Sequence, residues 1–434
     1  MSGIDDLRRG ACPSAGLPMA SGDGLISRLR LPTGCITNRQ LESLADRAEQ
    51  FGHGVLELTN RGNLQVRGLN ESSDKNLTEW LTEAGLAAAD PATEAARNVQ
   101  SSPVPDLDPD ALFDTRPLAA ALDSQLQANI AFQDLPPKFR FVINAGGRGH
   151  LGEVDGDIRA DALTTDQGTG FRIGLAGTAH DAHSLGVCAP DAVAVTMTAL
   201  AYCFLDLNQR LVTPMRRLAG HLEREGEAPF RAAIDAPLGS AAERMDYGPT
   251  LQPGAFGNAF TAGVPFGRLD TASARAIAAS SDAAGNSEVR ITPWRQVVIA
   301  GEPVLLASPL EDLNLITNPT DPRASIITCV GSPECQSGTT QTRKDALDWA
   351  EAAPELFDGE TRIHVSGCSK GCAHRGKSPV TLTAHDGLYD IIINDSAFPE
   401  NEANRVASNL SPSEVPGMLR TLSGRTQSSR NNRR

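Results

Sequence analysis

The chain has 434 residues, 40% of them hydrophobic and 21% charged, with a formal net charge of −14. That length accommodates two or three domains and a sizeable core, while the acidic balance argues against general nucleic-acid binding. No N-terminal basic–apolar–small pattern marks a signal peptide, no apolar run approaches the ~20 residues that span a bilayer, and eight cysteines fit a reducing cytoplasm where thiolates stay available to metal.

In chain order, Gly24-Leu-Ile-Ser-Arg28-Leu-Arg30-Leu31 reads as a strand. A helix follows from about Asn38 to Phe51, with Leu41, Leu44, Ala45 and Ala48 on one stripe and Gly52 as its stop. Two short strands come next, Val55–Leu58 and Leu64–Val66, joined by the turn-rich Thr59-Asn60-Arg61-Gly62-Asn63. An Ala/Glu-rich helix is predicted over about Asp74–Gly85, and Ser101–Asp110, rich in Pro and Asp, reads as a surface loop. A helix near Leu118–Ala131 leads to the basic-edged strand around Lys138-Phe139-Arg140, and Asp191–Leu207 is a further helix.

The strand–helix–strand–strand order then repeats. From Phe256 a strand-like stretch runs to Phe266, a helix covers about Thr271–Ala284, and strands follow at Glu288–Ile291 and Val297–Ile299 around Thr292-Pro-Trp-Arg295-Gln296. Neither unit buries its sheet alone, so the two are expected to pair about a pseudo-twofold axis. The resulting division is 20–72 (first half-domain), 73–245 (first α/β domain), 246–306 (second half-domain), 307–420 (cysteine-bearing α/β domain) and 421–434, a basic tail expected to be disordered.

Cys329, Cys335, Cys368 and Cys372 read C-x5-C and C-x3-C, each pair after a short strand-like run. Four thiolates meet the needs of a cubane iron–sulfur cluster, one per iron. The i, i+4 spacing of Cys368 and Cys372 would place both sulfurs on one face of a helical turn. Gly367 and Gly371 leave room for a bulky inorganic core, and a nearby helix start would favour thiolates. Zinc, which favours tighter C-x2-C knuckles, and disulfides, which suit small secreted domains, are the competing readings. Cys12, Cys35, Cys188 and Cys203 read as non-ligands.

Gly147-Arg-Gly149-His-Leu-Gly152 matches G-x-G-x-x-G literally, but the acidic, Gly-broken stretch after it makes it a turn between strands rather than a dinucleotide site. His180-Asp-Ala-His183 lacks helical metal-ligand spacing and reads as a polar loop, and His374 is either a neighbour of the metal site or a solvated loop residue.

Taken together, the cysteine pattern, the duplicated half-domains, the Thr-Asn-Arg61 loop, Arg97-Asn-Val and Lys138-Phe-Arg140 resemble the sulfite/nitrite reductase superfamily. The resemblance implies an α+β fold in which duplicated ferredoxin-like half-domains pair into one domain beside two α/β domains. It implies a [4Fe-4S] cluster on the four cysteines beside a siroheme, with Cys372 as the cysteine that bridges cluster and heme iron, and an anion pocket at Arg61, Arg97, Lys138 and Arg140. Read without it, those four basic residues are ordinary solvated charges.

Within the superfamily the N-terminal Arg9-Gly-Ala-Cys12-Pro13…Pro18-Met19-Ala-Ser-Gly22-Asp23-Gly24-Leu-Ile-Ser-Arg28 segment and Ser366-Gly-Cys-Ser-Lys-Gly-Cys-Ala-His374 are similar to the precorrin-3B synthase branch. That likeness implies a monooxygenase acting on a tetrapyrrole with molecular oxygen, an external electron donor such as a reductase or ferredoxin-like protein, and in some members a mononuclear non-heme iron. A siroheme-dependent assimilatory sulfite or nitrite reductase is the second reading. A cluster-binding or tetrapyrrole-carrying protein without turnover is the third.

Overall fold

The computed structural model describes residues 12–235, 238–240, 247–357, 361–374 and 376–422. Arg9, Gly10 and Ala11 of the N-terminal segment, and the basic tail from residue 423 onward, lie outside the described residues. The chain forms two compact units: Met1–Met19, Leu25–Thr261 and Leu269–Pro309 make the first, and Ala20–Gly24, Ala262–Arg268 and Leu310–Arg434 the second.

Within the first unit, helix Asn38–Phe51 begins at a capping box. The Thr37 side chain accepts the Gln40 N–H, and the Gln40 side chain accepts the Thr37 N–H at 3.0 Å. Leu41, Leu44, Ala45 and Ala48 form its buried stripe. Gly52 ends it, because a Cβ there would lie 2.3 Å from the Arg67 carbonyl oxygen.

The second copy's helix, Thr271–Ala283, is capped by Asp270. The two copies exchange short strands. Cys35–Thr37 of the first pairs antiparallel with Glu288–Ile291 of the second, Ile36 opposite Val289, while Arg268–Asp270 edges the sheet that holds Val55–Leu58. The helices meet through Arg275, which donates to Asp46 at 2.8 and 2.9 Å. Each sheet is completed by the other copy, as the expected pairing requires.

The two α/β sheets share one topology. In the first, Val99–Ser101, Phe141–Asn144 and Gly156–Thr165 run parallel, and Gly168–Gly177 and His183–Cys188 add antiparallel strands. In the second unit, Ile326–Thr328, Ile363–Ser366 and Ser378–His385 run parallel, followed antiparallel by Leu388–Asp395 and Arg405–Leu410. Helix Arg116–Ala128 in the first and Thr342–Ala352 in the second follow the first strand of each.

Two expectations need correction. Ser101–Asp110 is no surface loop: Ser101, Ser102, Val104 and Asp108 are buried, Val104 packing with Leu251, Phe256, Ala259 and Val298. One segment, Pro190–Gln209, is also long and apolar enough by composition to cross a bilayer, with mean hydropathy 1.3. Met197, Leu200, Ala201 and Phe204 of its helix Val193–Gln209 are buried in the core of the first α/β sheet, which explains its apolar character.

Candidate functional site

The cysteine loops lie at the carboxyl ends of the parallel strands in the second unit, where open α/β sheets present their ligand-binding loops. Cys329 follows Ile326–Thr328, and Cys368 follows Ile363–Ser366 by way of Gly367. Between them the chain folds back on itself: Cys335 N–H bonds to the Gly331 carbonyl at 2.8 Å, Gly338 N–H to Cys335 O at 3.0 Å, and Thr339 N–H to Gly367 O at 3.0 Å. Gly367 N–H donates to Cys329 Sγ at 3.1 Å. The expected helix start is present, since Thr342, the first residue of Thr342–Ala352, donates its hydroxyl to the Cys329 carbonyl at 2.8 Å.

Cys329, Cys335 and Cys368 are half-buried and Cys372 is exposed. Burial pushes the Cys368 thiol up, and the nearby Cys329 and Cys335 add to that. The segment from Cys368 to Cys372 is not a helical turn but a run of turns and bends. Gly371 breaks it with φ +57°, and a Cβ there would lie 3.2 Å from the His374 carbonyl and 3.3 Å from the Ala397 Cβ.

The cradle suits a cluster. A Cβ at Gly338 would lie 2.7 Å from the Gly331 carbonyl carbon, and one at Gly367 would lie 3.4 Å from Cys329 Sγ. Side chains are thus kept out where backbone approaches sulfur. Among the described residues no three His, Cys, Asp or Glu side chains converge as a single metal ion requires. A cubane cluster places each sulfur on its own iron and asks for a wider cage.

A second constellation lies in the first unit, on the other α/β sheet and the first half-domain. The Thr59-Asn60-Arg61-Gly62-Asn63 loop is held by Thr59 Oγ1, which accepts from Arg61 N at 3.3 Å and Asn63 N at 3.2 Å, with Gly62 at φ +66°. Arg61 is half-buried and donates to Asn98 Oδ1 at 3.3 Å. Its charge reaches Arg28, Arg30 and Arg140. Burial first, then Arg61, pushes Arg28 down to about 10. Arg140 falls to about 10 for the same two reasons, with Asp155 opposing. Arg30 also falls to about 10, by burial, with Glu94 opposing and Arg28 and Arg61 adding to the fall.

Arg61 thus works against the charged forms of Arg28, Arg30 and Arg140, an effect that Glu57, Glu94 and Asp155 respectively oppose. Neither Arg28, quoted from the sequence only as the end of the N-terminal resemblance segment, nor Arg30 was among the basic residues expected in the anion pocket. The available signal was an arginine at alternate positions within an otherwise apolar strand.

The other expected basic residues differ in their engagement. Arg140 is paired with Asp155 at 2.9 Å. Lys138 is half-buried and makes no hydrogen bond or ion pair among the described residues. Arg97 is buried and committed: Nε and Nη2 fork onto Asp123 at 2.8 and 2.9 Å, and Nη1 meets Glu94 Oε2 at 2.6 Å. The two carboxylates hold its guanidinium above the ordinary range despite its burial.

The loop Gly147–Gly152 joins two parallel strands, as expected of a turn. Its Arg148 and Gly149 N–H groups are taken by Asp108 Oδ2 at 2.6 and 3.0 Å, so an internal carboxylate sits where a phosphate would. His180 meets Glu153 at 3.3 Å and His183 meets Glu227 at 2.6 Å. His374 packs edge-on to buried His364, ring centroids 5.8 Å apart. Cys188 is a core residue, Cys203 packs against the same core, and Cys35 accepts from Arg290 at 2.7 Å.

Comparison with known proteins agrees with this geometry. Residues 17–84 and 252–303, the two copies, match the nitrite/sulfite reductase ferredoxin-like half domain, and residues 92–241 match the nitrite and sulphite reductase 4Fe-4S domain. The latter match falls on the first α/β sheet, whose topology the cysteine-bearing sheet repeats. The precorrin-3B synthase of a Sinorhizobium species is 34% identical over 402 residues, 91% of this chain and 84% of that protein. The ferredoxin–nitrite reductase of Synechococcus elongatus is 30% identical over 377 residues, 80% of this chain and 73% of that protein. The solved Mycobacterium tuberculosis NirA protein shares the fold, with a TM-score of 0.74 at 19% identity over 92% of this chain and 80% of that one. The chain therefore belongs to the nitrite/sulfite reductase family of iron–sulfur oxidoreductases.

Proposed function

We propose that the chain is a precorrin-3B synthase, hydroxylating precorrin-3A at a ring-junction carbon with lactone formation in aerobic cobalamin biosynthesis. One oxygen atom of O2 enters the substrate and the other leaves as water, with two electrons from an external reductase or ferredoxin-like donor. The observation that carries this reading is the 34% identity over 84% of the Sinorhizobium synthase, against 30% over 73% of the Synechococcus nitrite reductase.

In this reading Cys329, Cys335, Cys368 and Cys372 hold a [4Fe-4S] cluster, which when bound relays single electrons. The remaining work falls to the chain's own side chains. Arg28, Arg61, Lys138 and Arg140 bind and orient the carboxylates of the tetrapyrrole, guanidinium forks matching them bidentately. Burial of these cations keeps the field strong at short range, whereas the chain's net charge is screened beyond ~8 Å. The commitment of Arg97 to two internal carboxylates takes one cation out of a pocket for a small oxyanion. That favours a large, many-armed polyanion as substrate.

The test is anaerobic purification, iron and sulfide analysis, acid–acetone pigment extraction, then an oxygen-dependent assay with precorrin-3A and isotopically labelled O2. Iron and sulfide without siroheme, and label in the product, are expected. Stoichiometric siroheme with reduction of nitrite or sulfite would make the chain a reductase instead.

A further inference from the structure

Strand Val99–Ser101 sorts its neighbours onto two faces. Val99 enters the hydrophobic core, and Ser101 Oγ lies 2.8 Å from Thr115 Oγ1 at the start of helix Arg116–Ala128. Asn98, Gln100 and Ser102 therefore face away from the helix layer. Asn98 receives Arg61 Nη1 at 3.3 Å, and Ser102 Oγ meets Asn144 Oδ1 at 3.4 Å. Gln100, between them and opposite Val142 in the sheet, is only 4% exposed.

Neither Nε2 nor Oε1 of Gln100 has a hydrogen-bond partner among the described residues. A buried carboxamide with both ends unmet is costly, and buried polar groups are nearly always bonded. A leucine would fill the same space without that cost. The described residues leave the amide's need for a partner unmet, and it stands one strand repeat from the residue that receives Arg61.

We propose that Gln100 contacts the bound tetrapyrrole, Nε2 donating to a carboxylate neighbouring the one drawn by Arg61. The inference rests on the tetrapyrrole reading above and adds a neutral specificity-determining contact to its cationic set. An amide rewards a correctly placed acceptor without attracting every anion. It therefore sorts ligands by the position of their carboxylates, which the arginines alone do less sharply.

Binding of sirohydrochlorin, a metal-free polycarboxylated tetrapyrrole, to the full chain by fluorescence titration tests this, with unfolding temperature measured in parallel. Gln100→Leu is expected to weaken binding about tenfold or more while the unfolding temperature of the ligand-free protein stays unchanged or rises. Equal affinity in Gln100→Leu and the parent, with Arg61→Ala weakened, would overturn the role of Gln100 and leave the tetrapyrrole reading standing. A parent chain that fails to bind sirohydrochlorin would overturn both. Should Gln100→Leu not fold, the unbranched Gln100→Met gives the same readout.

Discussion

The backbone N–H of Gly367 donates to Cys329 Sγ at 3.1 Å, joining the carboxyl ends of two adjacent parallel strands through a sulfur. Hydrogen bonds to ligand sulfurs are one of the means by which a protein tunes an iron–sulfur cluster's reduction potential. The contact depends on glycine at both ends of the fold-back. Gly338→Ala would drive a Cβ to 2.7 Å from the backbone carbon of Gly331, which cannot swing aside. A stability loss of about 1–3 kcal/mol is expected, together with a fall in iron and sulfide per chain. Full cluster content in a folded Gly338→Ala variant would show that the cradle does not need this packing.

Cys372→Ser separates ligand from scaffold. The thiol is exposed, so the apo protein should change by no more than about 0.5 kcal/mol, while iron, sulfide and visible absorbance fall sharply. Cys203→Ser, on helix Val193–Gln209, should leave all three in place. An intact cluster in Cys372→Ser would remove this residue from the ligand set.

Local signals in the sequence were reliable where the physics is local. The Thr37–Gln40 capping box, the stripe Leu41–Leu44–Ala45–Ala48 and the stop at Gly52 set helix Asn38–Phe51 without reference to the rest of the chain. The exchange of Cys35–Thr37 and Arg268–Asp270 between copies was illegible, because strands of three residues carry no usable period. Ser101–Asp110 misleads by composition: Asp108 is buried because its carboxylate accepts two N–H groups 40 and 41 residues away. Arg28 and Arg30 are only two positions of a strand in the sequence, and it is the fold that brings Arg61 near both of them and near Arg140. The spacing of the cysteine pairs and the strands before them were legible, but the turn at Gly371 that replaces the expected helical one was not.

The arginine cluster has a pH signature. Burial holds Arg28, Arg30 and Arg140 down to about 10. Their charged forms are therefore disfavoured by the fold. The penalty is fully present at neutral pH and is relieved as pH rises from about 10 toward the ordinary arginine range. A polycarboxylate favours the charged forms, so its affinity should fall over the same window and its binding should take up protons there. Calorimetry in two buffers of different ionisation heat measures that uptake. Arg28→Met should raise the unfolding temperature of the apo protein yet weaken sirohydrochlorin binding. A variant that lost stability while keeping affinity would place Arg28 in the scaffold.

Arg97 and Lys138 should respond in opposite ways. Glu94 is fully buried and accepts from both Arg97 and the Ala88 N–H at 2.9 Å, while Asp123 also takes Gln127 Nε2 at 2.8 Å. Removing the guanidinium strands two carboxylates, and breaking such a buried pair costs roughly 3–5 kcal/mol. Arg97→Met should therefore unfold at markedly lower temperature, partly restored when Asp123→Asn is added, and bind sirohydrochlorin within about twofold of the parent once folded. Lys138→Ala removes a half-buried ammonium with no partner among the described residues. Stability should move by no more than about 0.5 kcal/mol, while affinity drops severalfold and iron content holds. The reverse result, an Arg97 variant of normal stability and poor affinity, would mean that Arg97 leaves its carboxylates to meet the substrate.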